Sequence, residues 1–515
     1  MKINIKKIVS ALILLFIIIT GGCIPSSKTV TKVEELQDAQ IHNQPIRLLT
    51  TDSKTYTLDQ FSINNESISG SGHVNDGDVE KSFNGDLPFS DIIFIERLKP
   101  SFWQGFWIVP ASLGVGAGLA SLLQPQEFTI ERVSGSCPFI YSYDGSEYHL
   151  EAEAFSTSIS KALEAQTYHH LPSLKSQENK LKIRIANERP ETHIFNSIQL
   201  YAVDSHNVSS IVLDNKNRAW PISNRITPVT ATDHFGQNIL KKVSTKDKQY
   251  WKTNYKNVYT EADFRDELTL SFDIPDEQST ATFIVEAINS DLINDVYSAA
   301  GAIIGEESLN FYNSLENNPA LKNFFLRWIE KSSLKIELLT TSGWEKAGSI
   351  RPEANEVSFQ RAIRIGKLEN ARKPLTIRVS SLMDVWHIDA LSIDLFAKES
   401  LKMHPLEMTL VKASNKQVGH RKAIGAIDTT YSLLMPADYL DIEFDASQTL
   451  NMQNPQYIFS ARGYLYEWFP KVNNPFNSNL TEWFKDVNQQ DKIALFNQNE
   501  DLFLYGIYSH RNKSH

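Results

Sequence analysis

The sequence predicts a mainly β protein: a small N-terminal antiparallel β domain, then two related β-sandwich, jelly-roll-like units with a helical hairpin inserted between them. Three observations lead there. From Ile46 onward the chain breaks into short alternating apolar runs separated by Asp, Asn, Ser and Gly, the pattern of short antiparallel strands. Asp144-Gly145 marks a hairpin between two such runs. Four segments of the first half then recur in the same order in the second. Short strands joined by turns favour sandwiches over a parallel sheet.

At the N-terminus, Lys2, Lys6 and Lys7 precede an apolar stretch, Ile8–Ile19, and small residues Thr20-Gly21-Gly22 lead to Cys23. This is a secretory signal, and it resembles a bacterial lipoprotein signal, with Thr20 where leucine is usual. The resemblance implies cleavage before Cys23 (signal 1–22), diacylation of the sulfur and acylation of the new amino group. Ile24, rather than aspartate, implies sorting to the outer membrane. The competing reading is an uncleaved anchor helix, although the apolar stretch is short for a full span. Residues 23–45 read as a polar tether.

Strand-like runs between Ile46 and Ile95, broken at Asp52-Ser53, Asn64-Asn65 and Asn84-Gly85, predict the small β domain, 46–100. Phe102–Leu123 is uncharged, with Trp103 and Trp107 at one end and Gly114-x-x-x-Gly118 within it. It has the length to cross a bilayer. Pro110 and the glycines favour the other reading, a helix docked on protein.

The hairpin at Asp144-Gly145 is expected to pair Tyr141 with Tyr148 and Phe139 with Leu150 through a two-residue turn. Phe139, Tyr141, Tyr143, Tyr148, Leu150 and Ala152 would then share an apolar face. Glu147, His149, Glu151 and Glu153 would line the opposite face, as a divalent-metal surface or as a solvated outer face; alternation alone explains the second. The stretch Cys137-Pro138-Phe139 through Asp144-Gly145 and Tyr148 resembles the opening of a family of uncharacterised bacterial extracytoplasmic lipoproteins. Leu163-Glu164 and Phe459–Tyr464 extend that resemblance. It implies a location and carries no catalytic residues.

The recurrence pairs Leu181–Ile185 with Leu375–Val379, Ile198–Leu200 with Leu391–Ile393, Ala231–Asp233 with Ala413–Asn415, and Asp266–Asp273 with Asp438–Asp445. Two sandwich units, 128–278 and 334–447, are expected from it. Between them, 286–331 predicts two helices. Leu292, Ile293, Val296 and Ile304 keep helical spacing, as do Leu321, Phe324, Phe325 and Trp328 after an Asn318 cap and Pro319. Residues 448–515 read as an aromatic strand, Tyr457–Phe469, and a tail with a short helix near Leu480–Phe484.

Trp386 and Asp389 are the candidate ligand contacts. In this pattern the strands resemble the end of a carbohydrate-binding jelly roll, with Trp386 stacking a sugar and Asp389 hydrogen-bonding it; the alternative is a core tryptophan. The net charge of −10 argues against nucleic acid as a partner. With Cys23 lipidated, Cys137 has no partner among two cysteines, and a buried thiol at a strand start is favoured over a reactive one. His169-His170 would point opposite ways on a strand. Walker, HExxH and GxSxG motifs are missing, and no metal or cofactor is expected. The expected function is a binding or assembly role for a lipid-anchored cell-envelope protein, its partners the membrane and an envelope protein or a glycan. A secreted hydrolase or carbohydrate-binding module is the alternative.

Overall fold

Alternation decides the strand at the heart of the fold. In Lys180–Ala186, Leu181, Ile183 and Ile185 are buried while Lys182 and Arg184 turn outward. The computed structural model describes residues 27–29, 40, 44–50, 54–63, 67–76, 79–88, 91–98 and 138–467, the last without 190, 207, 209, 254–263, 294–295, 297–314, 367 and 415–418. The chain is mainly β, built of antiparallel sheets with few helices, and divides into two units, 1–131 and 132–515.

The first unit holds β1 (Ser27–Thr29), β2 (Ile46–Thr50), β3 (Thr55–Ile63), β4 (Ser67–Asp76), β5 (Val79–Pro88) and β6 (Ile92–Leu98) in one sheet, ordered β1-β6-β2-β3-β4-β5. Ile46, Leu48, Leu58, Ile68, Leu87, Ile92 and Ile95 form its core. A bulge at Asp59 presses β3 against β4, where a Cβ on Gly72 would lie 1.9 Å from the Thr57 carbonyl oxygen. Part of the expected tether joins this sheet, because Ser27–Thr29 pairs with Leu98–Glu96. An edge strand needs only its backbone groups, so polar side chains do not prevent it.

The second unit opens with the hairpin β7 (Phe139–Tyr143) and β8 (Tyr148–Glu153), followed by β9 (Ala165–His170), β10 (Lys180–Ala186) and β11 (Glu191–Asp204). A ribbon of β12 (Ser210–Leu213) and β13 (Ala219–Ile222) leads to β14 (Arg225–Ile226), β15 (Thr230–Asp233), helix α1 (Leu240–Val243), β16 (Arg265–Phe272) and β17 (Thr280–Asn289). Helix α2 (Pro319–Ser332) precedes β18 (Leu334–Thr340), β19 (Gly343–Ile350), β20 (Phe359–Gly366), β21 (Leu375–Leu382) and β22 (Trp386–Asp394). Then come β23 (His404–Pro405), β24 (Met408–Ala413), α3 (His420–Ala423), β25 (Ser432–Leu434), β26 (Tyr439–Asp445) and β27 (Pro455–Glu467).

Two five-stranded sheets run β24-β26-β10-β7-β8 and β15-β16-β21-β18-β19; beside them are β23-β11-β27-β9, where β25 also pairs with β11, and the four-stranded β14-β22-β17-β20. The orders correspond position for position, and so do the registers: Leu181 lies opposite Phe444 as Leu375 lies opposite Phe272. Even the irregularities agree. β11 leaves Asn196 unpaired against β27, and β22 leaves Asp389 unpaired against β17, at the same step of the ladder. Of the four recurring segments only Ala231–Asp233 is displaced: Ala231 faces Leu270, and the residue facing the equivalent Ile442 is Val411 rather than Ala413.

The boundaries expected from sequence, 128–278 and 334–447, do not each enclose a sheet. β10 pairs with β26 and β16 with β21, so each stretch supplies strands to both sets. The contiguous run β14–β22 completes one set, while β7–β11 are completed by β23–β27. Recurring strands present the same alternation to any partner, and alternation does not encode which copy that partner comes from.

Helix α2 follows its expectation. The Asn318 side chain accepts from the Ala320 and Leu321 N–H groups at 2.9 and 3.3 Å, Pro319 takes the first turn, and Leu321, Phe324, Phe325 and Trp328 are buried. Of the other expected helix, Leu292, Ile293 and Val296 are described and buried.

Hairpin β7–β8 turns through four residues instead of two. Asp144 N–H donates to Glu147 carbonyl at 3.1 Å, and the Asp144 carboxylate accepts from the Ser146 and Glu147 N–H groups at 2.7 and 2.9 Å. Tyr141 therefore faces Leu150, and a bulge at Glu151 sets Glu153 opposite Phe139. Of the expected apolar set Phe139 and Ala152 are buried, as are Ile140 and Ser142 of the other alternation, while Tyr141, Tyr143 and Tyr148 are half-buried and Leu150 is exposed.

Candidate functional site

Trp386 and Asp389 lie inside the protein, which overturns their reading as ligand contacts. The Trp386 indole N–H donates to the Ser332 carbonyl at 2.8 Å, and its ring meets Phe359 edge-on. Only 1% of Trp386 is exposed, so neither ring face is open to a sugar. Asp389 is fully buried on the β22 bulge and accepts from the backbone N–H groups of Asp247 and Lys248 at 3.1 and 2.8 Å. β22 is buried on both faces, so its alternation carries no signal of which side chains reach solvent.

The acidic strand does not converge on a metal. His149 Nε2 lies 2.9 Å from the Asp144 carboxylate. Glu151 accepts from the Ser142 hydroxyl and, at 2.8 Å, from the Ser173 N–H, while Glu153, set opposite Phe139 by the bulge, is buried. The N–H groups of Glu147 and Ser146, aided by His149, hold the Asp144 carboxyl well below the usual carboxylate range. No group of three or more His, Cys, Asp or Glu that could hold a metal ion occurs among the described residues. His169 and His170 diverge as expected, toward Glu353 and Gln456. Cys23, Cys137, Phe102–Leu123 and Leu480–Phe484 lie outside the described residues.

A buried polar cluster joins the two sets of sheets. Glu153, buried, accepts from the N–H groups of Asn355, Glu356 and Val357 at 3.2, 2.7 and 2.6 Å. Beside it Arg361 grips Glu353 through Nε and Nη2, each at 2.6 Å, and also donates to the Tyr168 carbonyl. His169 Nδ1 lies 3.1 Å from Glu353. Burial by itself would raise the Glu353 carboxyl, but the Arg361 charge and the His169 hydrogen bond outweigh it and hold the group below its ordinary value. A shallow recess next to it is lined by Ser156, Asn289, Ser290 and Glu353 among others. Asn289 accepts from the Glu353 N–H at 2.7 Å, and Ser156 donates to the Glu353 carbonyl. With the carboxylate bound to guanidinium and the hydroxyl proton already donated, these groups are arranged to join strands rather than to transfer protons. Nothing in the spacing of Glu153, His169, Glu353 and Arg361 marks them as neighbours.

A second buried group titrates. Burial pushes the Asp266 carboxyl up to about 7; the Thr253 hydroxyl and the Asp384 N–H, at 2.9 Å, pull it down, and the Asp384 charge raises it further. An unfolded aspartate ionises near pH ~4, so between about pH 4 and 7 the unfolded chain releases a proton that the native chain keeps. This contribution is present in full below that window and is lost as the pH rises through about 7. Urea-unfolding midpoints should fall over that range, and Asp266→Asn should flatten the fall. An unchanged pH profile in the variant would count against the assignment.

The outward faces of the five-stranded sheets carry a second correspondence. Arg184 lies 4.9 Å from the Tyr148 ring and 4.2 Å from the Tyr439 ring while pairing with Asp441 at 2.7 and 2.9 Å. Its counterpart Arg378 lies 4.4 Å from the Trp344 ring and pairs with Glu337 at 2.8 Å. Tyr141, Tyr143 and Lys182 extend the first face, with Lys182 5.5 Å from the Tyr143 ring. Tyr141 and Tyr143 belong to the face expected from sequence to be apolar, and here they are half-buried.

No protein-family profile matches the chain, and no curated protein matches it either. Among the described residues no helix is long and apolar enough to cross a membrane.

Proposed function

We propose that the chain is a lipid-anchored cell-envelope protein with a binding or assembly role, anchored through Cys23 and meeting its partner with the outward faces of its five-stranded sheets. The observation that carries this reading is the half-buried aromatic and guanidinium surface of Tyr141, Tyr143, Tyr148, Tyr439 and Arg184, mirrored by Trp344 and Arg378. Aromatic rings and arginines supply most of the energy at protein interfaces. A glycan is the second reading, since the same rings offer stacking area that the buried Trp386 does not.

Radiolabelled fatty acid should enter the wild type and not Cys23→Ser, and equal labelling of the two would remove the anchor. A stoichiometric envelope partner recovered in mild detergent should be lost from Tyr148→Ala/Tyr439→Ala, with the melting temperature little changed. Retention of the partner by that variant would rule out the face. Selective capture on a glycan array, lost in the same variant, would decide for the sugar.

A further inference from the structure

The equivalent bulges hold equivalent loops. Asp389 on β22 accepts from the N–H groups of Asp247 and Lys248, and Asn196 on β11 donates its side-chain N–H to the carbonyls of Asp428 and Thr430 at 2.7 and 3.2 Å. Each loop contains a short helix, α1 or α3, and each is laced to its bulged strand by the backbone. Trp251 and Ile388 exchange hydrogen bonds of 2.7 and 3.0 Å, and Ile198 N–H donates to the Ile424 carbonyl at 2.9 Å. The loops are alike in build and unlike in charge. Residues 240–252 hold Lys241, Lys242, Lys246, Lys248, Lys252 and Asp247, a formal +4, whereas 420–432 hold Arg421, Lys422 and Asp428, a formal +1.

All five lysines are exposed. Among the described residues only Lys246 meets a carboxylate, Glu286 at 2.8 Å. Crowding like charges on a fixed loop is unfavourable by itself, and the chain as a whole carries −10. The Lys248 backbone is held at φ +64, so the loop is set in place by Asp389 rather than left to adapt.

We infer that the Lys241–Lys252 loop is a cationic contact for an anionic, phosphate-bearing lipid surface. The choice of lipid over other polyanions rests on the anchored reading above, which keeps the chain beside a membrane. Lysines near an anionic surface each strengthen attachment by about fivefold, and salt screens the effect.

The test uses the full chain with Cys23→Ser, which cannot be acylated, so its outcome is independent of the labelling experiment that tests the anchor. Sedimentation with phosphatidylcholine vesicles containing phosphatidylglycerol should show binding that weakens with salt, against little with phosphatidylcholine alone. Lys241→Glu/Lys242→Glu/Lys248→Glu should lose at least about a hundredfold of it. Arg421→Glu/Lys422→Glu, which reverses the two cations of the equivalent loop, should retain it. Should the glutamates unfold the protein, the corresponding alanines decide. Equal vesicle binding by parent and lysine variant would overturn the inference. So would a parent that binds polyphosphate and ignores anionic vesicles.

Discussion

Glu353→Ala is expected to destabilise the second unit by about 3–5 kcal/mol, the cost of leaving a buried charge without its partner. The Arg361 side chain is 9% exposed and Glu353 11%, so the orphaned guanidinium cannot recover its hydration without local opening. His169, 5% exposed, loses its partner at the same time. Arg361→Ala should cost a similar amount, and the double variant much less than the two together, because removing both charges removes the reason for the penalty. Urea-unfolding midpoints of the four proteins close this cycle. Strict additivity would mean that the pair contributes nothing beyond packing.

Trp386→Ala should cost about as much, 3–5 kcal/mol, for a different reason. It empties one of the largest fully buried side-chain volumes among the described residues and strips the Ser332 carbonyl of its donor. Trp386→Phe restores most of the volume and not the hydrogen bond, so it should fall between. A near-neutral alanine variant would mean that the site collapses around the gap. The bond ties the last turn of α2 to β22, so the variant should also raise hydrogen exchange in Pro319–Ser332.

Much of this architecture was legible in the sequence, in an uneven way. Alternation in Leu181–Ile185 and Leu375–Val379 marked two strands that do occupy equivalent central places, and the Asn318-Pro319 signal marked the start of α2. What failed was partner choice, which a local pattern does not contain: β10 takes β26 from the far end of the chain. The hairpin failed through one side chain. Asp144 satisfies two N–H groups of a longer turn, and the bulge at Glu151 then moves Glu153 off the face it was expected to share with His149 and Glu151. For Trp386 the sequence leaves a sugar-stacking ring and a core tryptophan both open, because alternation does not say which face meets solvent, and its burial decides for the core. The junction of Glu153, Glu353 and Arg361 was invisible, since ion pairs between distant segments leave no periodicity.

The exchange of strands between the two halves also sets an order in time. Within the second unit, the strands that come first, β7–β11, have no complete sheet to enter until β23–β27 have been synthesised, more than two hundred residues later. The stretch between them meets no such delay, because β14–β22 supply all the strands of their own set. Newly made chains thus pass through a stage in which the later-made set can stand closed while the earlier strands expose open edges, the condition in which a β protein is most open to wrong pairing. Premature termination between β22 and β27 leaves the strands that open the second unit unfinished, while the later-made set is complete.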